Sequence, residues 1–143
     1  MPTETGQRRM TPLGSAVLML KICELNHVAI HVADVNRSCE FYRDVLRLPP
    51  MQRPAFDFPG AWFRLGPMQE LHIIGDRNDA VHSSNRGNHF ALRVEDLGPW
   101  ELHLNRLQIA YRPPKPRPDG ALQLFLADPD GHVIELFTPP PVS

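Results

Sequence analysis

The chain has 143 residues, of which 42% are hydrophobic, and its formal net charge is -1. This length fits one compact domain, or two half-domains that share a core, and the apolar content is sufficient to fill that core. The near-neutral charge excludes the basic surface typical of nucleic-acid binding and favours a small, neutral or mildly anionic partner. The two cysteines, Cys23 and Cys39, form neither a disulfide framework nor a Cys-x-x-Cys pair, so we expect a reducing, cytoplasmic location.

Both ends of the chain are expected to lie outside the folded domain. Residues 1–21 form an N-terminal extension in which Arg8 and Arg9 precede a short apolar run, Leu13–Leu20. This run resembles a signal peptide only weakly, because it is short and lacks a small-residue cleavage pattern. We therefore predict a disordered or loosely docked extension, no membrane association, and a proline-rich tail over residues 139–143.

The first predicted module, residues 22–75, has the order β-α-β-β-β. It opens with a strand over residues 24–32 in which polar and apolar side chains alternate. Asp34 then caps a helix that ends near Leu46. Three further strands follow, and they are Met51–Phe58, Ala61–Leu65 and Glu70–Ile74.

The second predicted module, residues 88–138, repeats this order after a polar linker over residues 76–87. Its opening strand covers residues 88–94, and Asp96 caps a helix that ends near Ile109. The remaining strands are placed near Ala110–Arg112, Ala121–Leu126 and His132–Thr138.

The two modules are copies of one unit. Residues 26–35 return as residues 88–97 with five of ten positions identical, at an offset of 62 (His89 minus His27). One residue is inserted in the second copy's last turn, so His72 aligns with Glu135. A duplicated unit of this size buries its apolar face against its twin. We therefore predict an α+β fold of two tandem βαβββ modules, with a curved mixed sheet around a shared metal or ligand cavity and the helices outside.

Strand parity assigns four ligand-type side chains to equivalent inward positions: His27, His72, His89 and Glu135. If the inner faces of the modules meet, three imidazoles and one carboxylate converge. This set suits Zn, Ni, Co, Fe or Mn and leaves coordination positions for a substrate. The alternative is that each histidine is an ordinary half-buried residue.

Three segments resemble the vicinal oxygen chelate superfamily, and they are Asn26–Ile30, Phe41–Leu46 and Asp128–Leu136. This superfamily holds glyoxalase I, methylmalonyl-CoA epimerase, extradiol dioxygenases, fosfomycin-resistance transferases and metal-free bleomycin-binding proteins. The resemblance covers about residues 22–138. It implies metal ligands on the first and last strands of each module, which are the four side chains above. Members pair their modules within one chain or across a homodimer, and we expect a homodimer.

The resemblance implies a small metalloenzyme whose ion chelates two neighbouring oxygens of a substrate. Such an ion stabilises a developing enolate or oxyanion, and a displaced carboxylate ligand such as Glu135 accepts the proton. Lyase, isomerase, epimerase and dioxygenase chemistry all fit. One alternative is a protein that binds a drug or metabolite without turnover. Another is a fosfomycin-type transferase, whose His/His/Glu set His27, His89 and Glu135 would satisfy. Bacterial-type glyoxalase I has a glutamate at the position of His72.

Six residues are predicted to face the substrate: His31, Trp62, Arg64, Arg93, Lys115 and Arg117. Parity leaves open whether Trp62 or Phe63 points inward. The loop Pro113–Gly120 is expected at the cavity mouth, where prolines hold it extended and limit the entropy lost on closure. Lys115 and Arg117 would draw an anionic group there. The alternative is a solvated connector.

Overall fold

The computed structural model describes residues 19–142, so most of the predicted N-terminal extension lies outside the described residues. The first module contains β1 (His27–His31), α1 (Val35–Glu40), β2 (Pro50–Met51), β3 (Gly60–Arg64) and β4 (Glu70–Ile74). A π-helical turn, Phe41–Val45, continues α1. The second module contains β5 (Phe90–Arg93), α2 (Leu97–Arg106), β6 (Tyr111–Pro116), β7 (Leu122–Ala127) and β8 (Val133–Thr138).

Each module folds into its own four-stranded sheet. The strand orders are β1-β4-β3-β2 and β5-β8-β7-β6, so the two copies have the same topology. In each copy the first and last strands pair in parallel, and the remaining pairs are antiparallel. The predicted α+β fold of two tandem βαβββ modules is confirmed.

Each sheet has one apolar face and one open, polar face. In the first sheet, the register aligns Ala29, His72 and Trp62 across three strands on the open face. In the second sheet, Ala91 and Glu135 occupy the equivalent positions. The alternate residues point the other way and are buried, and they include Ile30, Phe63, Leu71, Ile73, Leu124 and Leu136.

The apolar faces of both sheets and the residues of both helices join one hydrophobic core. The helices begin where the sequence predicts, because Asp34 accepts a hydrogen bond from the Arg37 amide at 3.1 Å and Asp96 accepts one from the Gly98 amide at 3.0 Å. Each helix therefore covers the face of its sheet opposite the open one. Among residues 19–142, no helix is long and apolar enough to span a membrane.

A turn at Asp128–Gly131, in which the Asp128 side chain is buried, joins the second module to the first. Tyr42 donates a hydrogen bond to the Asp128 carboxylate at 2.8 Å, and Asp130 accepts hydrogen bonds from Arg77 at 2.6 Å and from the Ala33 amide at 2.9 Å. Burial raises the pKa of Tyr42, and the Asp128 charge raises it further, so the phenol remains a neutral donor. The turn acts as a polar connection between the two copies.

Two strand predictions are corrected by the structure. The strand predicted over Met51–Phe58 is wrong beyond Met51, because β2 ends there and residues 52–59 form a loop. Pro54 lacks the amide needed to continue pairing, and β2 is an edge strand that only β3 could hold in place.

The strand predicted near Ala110–Arg112 extends to Pro116 despite its prolines. This is tolerated because β6 is also an edge strand, and the register shifts between Arg112 and Lys115. The first part of the predicted loop Pro113–Gly120 is therefore a strand bordering the open face of the second sheet.

Candidate functional site

The first pair of predicted ligands lies on the open face of the first sheet. The His27 and His72 rings are stacked with centroids 4.2 Å apart. The His27 Nδ1–H donates to the Asn26 side-chain oxygen at 2.8 Å, which leaves its Nε2 lone pair available. His72 differs, because its Nε2–H donates to Glu70 at 2.9 Å.

The second pair, His89 and Glu135, lies on the open face of the second sheet. The His89 Nδ1 faces the carbonyl oxygens of Ser84 and Gly87 at 3.2 and 3.1 Å, so this nitrogen must carry the proton and donate it. The other ring nitrogen, Nε2, faces the Glu135 carboxylate at 3.3 Å. Two electron-rich atoms at this distance need a cation between them, either a proton or a metal ion.

The Glu135 carboxylate is held in one orientation by its surroundings. Its side chain is 6% exposed, and Gln123 donates a hydrogen bond to its Oε1. The Phe125 ring packs edge-on against His89, with centroids 5.6 Å apart. The second pair is therefore partly desolvated and fixed, as a metal-ligand pair requires.

The two pairs remain on separate sheets of the chain. Within residues 19–142, no three His, Cys, Asp or Glu side chains lie close enough together to hold a metal ion. Between the sheets, β1 and β5 line a groove of about 700 Å³. Each of these strands is at the edge of its sheet and, among the described residues, pairs with one neighbour only.

Three further predicted residues lie at this groove or on the open face of the first sheet. His31 and Arg93 line the groove, and the His31 Nε2–H donates to the Gly75 carbonyl at 2.8 Å. Arg64 and His27 are both register partners of Glu70. The Arg64 side chain therefore lies on the open face of the first sheet, with His27 and Glu70.

Trp62, and not Phe63, points to the open face. The Trp62 ring stacks on His72 with centroids 4.0 Å apart and an angle of 4° between planes. Phe63 is 2% exposed and belongs to the core. The choice that strand parity leaves open is decided by packing.

The structure separates the two cations that the sequence groups together. Lys115 lines a cavity of about 730 Å³ on the open face of the second sheet. Arg117 instead forms an ion pair with Asp119 at 2.5 Å, and the hydrogen bond from this guanidinium lowers the pKa of Asp119 to about 2. Arg117 is thus already neutralised, whereas Lys115 has no acidic partner among residues 19–142.

Two cations at this cavity were missed by sequence reasoning. Arg86 and Arg112 line it together with Lys115, and neither forms an ion pair with another residue of the described part of the chain. Arg112 lies in the strand predicted near Ala110–Arg112, but only the register, in which it partners Phe125 and Phe125 partners Glu135, shows that it faces this cavity. Arg86 lies in the linker, where the sequence pattern offers no signal.

Comparison with known proteins places the chain in a family. The model of the Glyoxalase/Bleomycin resistance protein/Dioxygenase superfamily matches residues 24–136. Glyoxylase I 4 of Arabidopsis thaliana is 31% identical over 127 residues, which cover 82% of this chain and 71% of that protein. The metallothiol transferase FosB of Staphylococcus epidermidis is 32% identical over 124 residues, which cover 83% of this chain and 84% of that protein.

A solved structure also has this fold. It is a mutant of the fosfomycin resistance protein FosX of Listeria monocytogenes, complexed with Mn(II) and 1S,2S-dihydroxypropylphosphonic acid. Its TM-score is 0.69 at 18% identity, with 82% of this chain and 93% of that chain covered. By its sequence and its duplicated fold, the chain belongs to the Glyoxalase/Bleomycin resistance protein/Dioxygenase superfamily.

Proposed function

We propose that this protein is a metal-dependent enzyme of the vicinal oxygen chelate type, acting on a small substrate. One divalent cation is held by His27, His72, His89 and Glu135. The observation that carries the proposal is the His89–Glu135 pair, in which the imidazole Nε2 and a carboxylate oxygen lie 3.3 Å apart on the open face of the second sheet. The FosX complex with Mn(II) supports a divalent ion on this fold.

The donor set fits such an ion. The His27 Nδ1–H donates to the Asn26 side chain and the His89 Nδ1–H to backbone carbonyls, and such a hydrogen bond is the usual support for a ligating histidine. Imidazole and carboxylate ligands suit Zn, Ni, Co, Fe and Mn alike, so the ion's identity stays open. His72 is the weakest member, because its Nε2 must exchange Glu70 for the ion.

A second copy of the chain would complete the site. The free edges of β1 and β5 are templates for pairing, and the groove between them is open. In a two-fold dimer, β1 of each copy would pair with β5 of the other, which joins the two open faces. His27 and His72 of one copy would then meet His89 and Glu135 of the other, giving two sites per dimer.

The chain's own side chains fit a proton-transfer role beside this ion. When bound, a divalent cation would polarise two neighbouring substrate oxygens and stabilise charge developing on them. Glu135 would accept the proton on Oε2 once a substrate oxygen has replaced this atom as a ligand, while Gln123 holds the other oxygen, Oε1. The burial of this carboxylate limits competing water.

A fosfomycin-type transferase is the second candidate, and one observation favours it. Arg86, Arg112 and Lys115 line the cavity next to Gln123, and the neighbouring Glu135 belongs to the proposed metal site. Three cations without acidic partners in the described residues attract an anionic group such as a phosphonate or carboxylate. The similarity to the metallothiol transferase FosB supports this candidate.

The proposed location is the cytoplasm. Cys23 and Cys39 are both free thiols. Free cysteines are typical of a reducing compartment and support this location.

Elemental analysis of purified protein tests the proposed metal site. Wild-type protein is expected to bind about one divalent ion per chain, and His27→Ala and Glu135→Gln are expected to bind almost none. Equal and negligible metal in all three proteins would favour a metal-free binding protein.

Turnover is tested separately on metal-loaded protein. A thermal-shift screen of a metabolite library, followed by product analysis, should yield a stabilising compound that is converted. A compound that binds stoichiometrically and is released unchanged would identify a sequestering protein instead.

A further inference from the structure

The two modules join their first and last strands differently beside the proposed metal ligands. In the first module, the Glu70 amide donates a hydrogen bond directly to the Asn26 carbonyl at 3.0 Å. His27 and Glu70 are register partners, so the parallel pairing of β1 with β4 reaches this proposed ligand. Backbone hydrogen bonds alone therefore set the strand spacing beside His27.

In the second module, a serine side chain is inserted into the equivalent contact. The internal repeat aligns Asn88 and Val133 with the acceptor and the donor of that direct bond. The Val133 amide instead donates to the Ser83 hydroxyl oxygen at 2.8 Å, and the same hydroxyl donates to the Asn88 carbonyl at 2.6 Å. Two hydrogen bonds in series thus replace one, and we call them the serine bridge.

The strand pairing of the second module changes where the serine bridge lies. His27 is the first residue of β1, whereas β5 begins only at Phe90, one residue after His89. The register of β5 with β8 accordingly starts with Phe90 and Ile134. Beside His89, the spacing of the two strands is therefore set by the Ser83 hydroxyl and not by a direct backbone hydrogen bond.

The serine bridge lies close to both ligands of the second pair. It is attached one residue before His89 and two residues before Glu135, whose Nε2 and Oε2 atoms are 3.3 Å apart. Two ligands that each lie about 2.1 Å from one ion, at angles of about 90–110°, are roughly 3.0–3.4 Å apart. The separation that the bridge supports is thus one that suits two ligands of the same ion.

We propose that Ser83 is a positioning residue, whose hydroxyl sets the spacing of the His89 and Glu135 side chains. This inference rests on the proposed function, in which both side chains bind the ion. The loop that carries Ser83 also presents the carbonyl oxygens of Ser84 and Gly87 to the His89 Nδ1–H. The polar linker between the modules therefore supports the second ligand pair in two ways.

Competition for Co(II) between the full-length protein and a chromogenic chelator tests this role. Ser83→Ala should weaken Co(II) binding about tenfold, as expected for an outer-shell partner, and should change the visible absorption of the bound ion. Ser83→Thr keeps the hydroxyl and should stay within about threefold of wild type. Ser38→Ala is the control and should change neither property, because it removes a buried hydroxyl on α1, away from the ligands. A loss below about threefold in Ser83→Ala, or an equal loss in Ser83→Thr, would overturn the inference.

A crystal structure of metal-free Ser83→Ala supplies a readout that needs no ion. The Val133 amide is expected to donate directly to the Asn88 carbonyl, as in the first module. The distance between His89 Nε2 and Glu135 Oε2 is expected to change by more than about 0.5 Å, the tolerance of a preorganised site. An unchanged distance would overturn the inference. Failure of the proposed function would instead appear as wild-type protein that binds no Co(II), with the changed distance in Ser83→Ala intact.

Discussion

His89 and His72 are both imidazoles on open sheet faces, yet their hydrogen bonds prepare them differently for a metal ion. The His89 Nδ1–H donates to backbone carbonyls and its Nε2 faces the Glu135 carboxylate, whereas the His72 Nε2–H is committed to Glu70. The first arrangement already directs Nε2 at another proposed metal ligand. The second requires a hydrogen bond to break.

This difference predicts unequal effects of removing each ring. His89→Ala should abolish measurable metal binding, whereas His72→Ala should weaken it about tenfold, as for a weak ligand or a residue that orients one. Competition with a chromogenic chelator measures both affinities. Equal losses would show that His72 is as much a ligand as His89, and no loss in His72→Ala would remove it from the site.

Lys115 and Arg117 also differ in how readily each can bind an anion, because only Arg117 already has an acidic partner in the described part of the chain. Lys115→Ala should weaken the binding of methylphosphonate about fivefold and reduce its salt dependence, because an uncompensated cation is lost. Arg117→Ala is the control and should change little, since Asp119 already neutralises Arg117. Isothermal titration at two salt concentrations makes the comparison. A larger loss in Arg117→Ala would mean that its ion pair opens for the ligand.

At the residue scale, the duplication is the informative signal in the sequence. It identifies His27 and His89 as equivalent positions and pairs His72 with Glu135. It does not show whether Trp62 or Phe63 points to the open face. Neighbouring residues on a strand point to opposite faces, and the sequence leaves the start of this strand uncertain. Packing against the core decides this, and it depends on residues far away in sequence.

The Asp128–Gly131 turn shows how one element connects the two modules. Tyr42→Phe removes the hydrogen bond from the phenol to a buried carboxylate and should lower the free energy of unfolding by about 2 kcal/mol. Tyr111→Phe is the matched control and should cost less, because its hydroxyl contacts the part-buried Glu101 at 3.2 Å. Urea denaturation measures both. A similar cost for the two variants would contradict the role of the turn.

Asp130 should make stability depend on acid pH. Burial by itself would raise the pKa of this carboxyl, but the hydrogen bonds from Arg77 and from the Ala33 amide hold it below its ordinary value. Asp130 therefore stabilises the fold above its unfolded-state pKa of about 3.9, and this contribution is lost as the pH falls through the lower, folded-state pKa.

The variant Asp130→Asn should be less stable near pH 7 by about 3 kcal/mol, because Arg77 keeps its charge without a carboxylate. The difference from wild type should shrink as the pH falls below about 4. Asp44→Asn, at an exposed ion pair, is the control and should leave stability nearly unchanged. Thermal unfolding between pH 3 and pH 7 makes the comparison, and a constant difference across this range would contradict the assignment.

At the element scale, the order of helices and strands follows from the sequence, because caps and apolar spacing are local signals. The edge strands are less predictable. β2 is shorter and β6 longer than expected, since an edge strand persists only as far as its single neighbour can hold it. The same lengthening of β6 brings Lys115 onto the sheet that carries Glu135.

For the whole molecule, the central feature is that the two halves of the proposed site lie on separate sheets of one chain. The sequence specifies which face of each strand is polar. It does not specify whether β1 meets β5 of the same chain or of another, because both pairings bury the same residues. In the proposed dimer, a second copy would cover both edges and the intervening groove.

Complementation between two inactive variants tests this arrangement most directly. His27→Ala and Glu135→Gln each remove one half of every site, so neither homodimer should bind metal. In the mixed dimer, His27 of the Glu135→Gln chain would meet Glu135 of the His27→Ala chain and form one intact site. Equal co-expression should therefore restore about a quarter of the wild-type metal content, since about half the dimers are mixed and one of their two sites is intact. Metal content that stays at background in the purified mixed dimer would contradict a site shared between two copies of the chain.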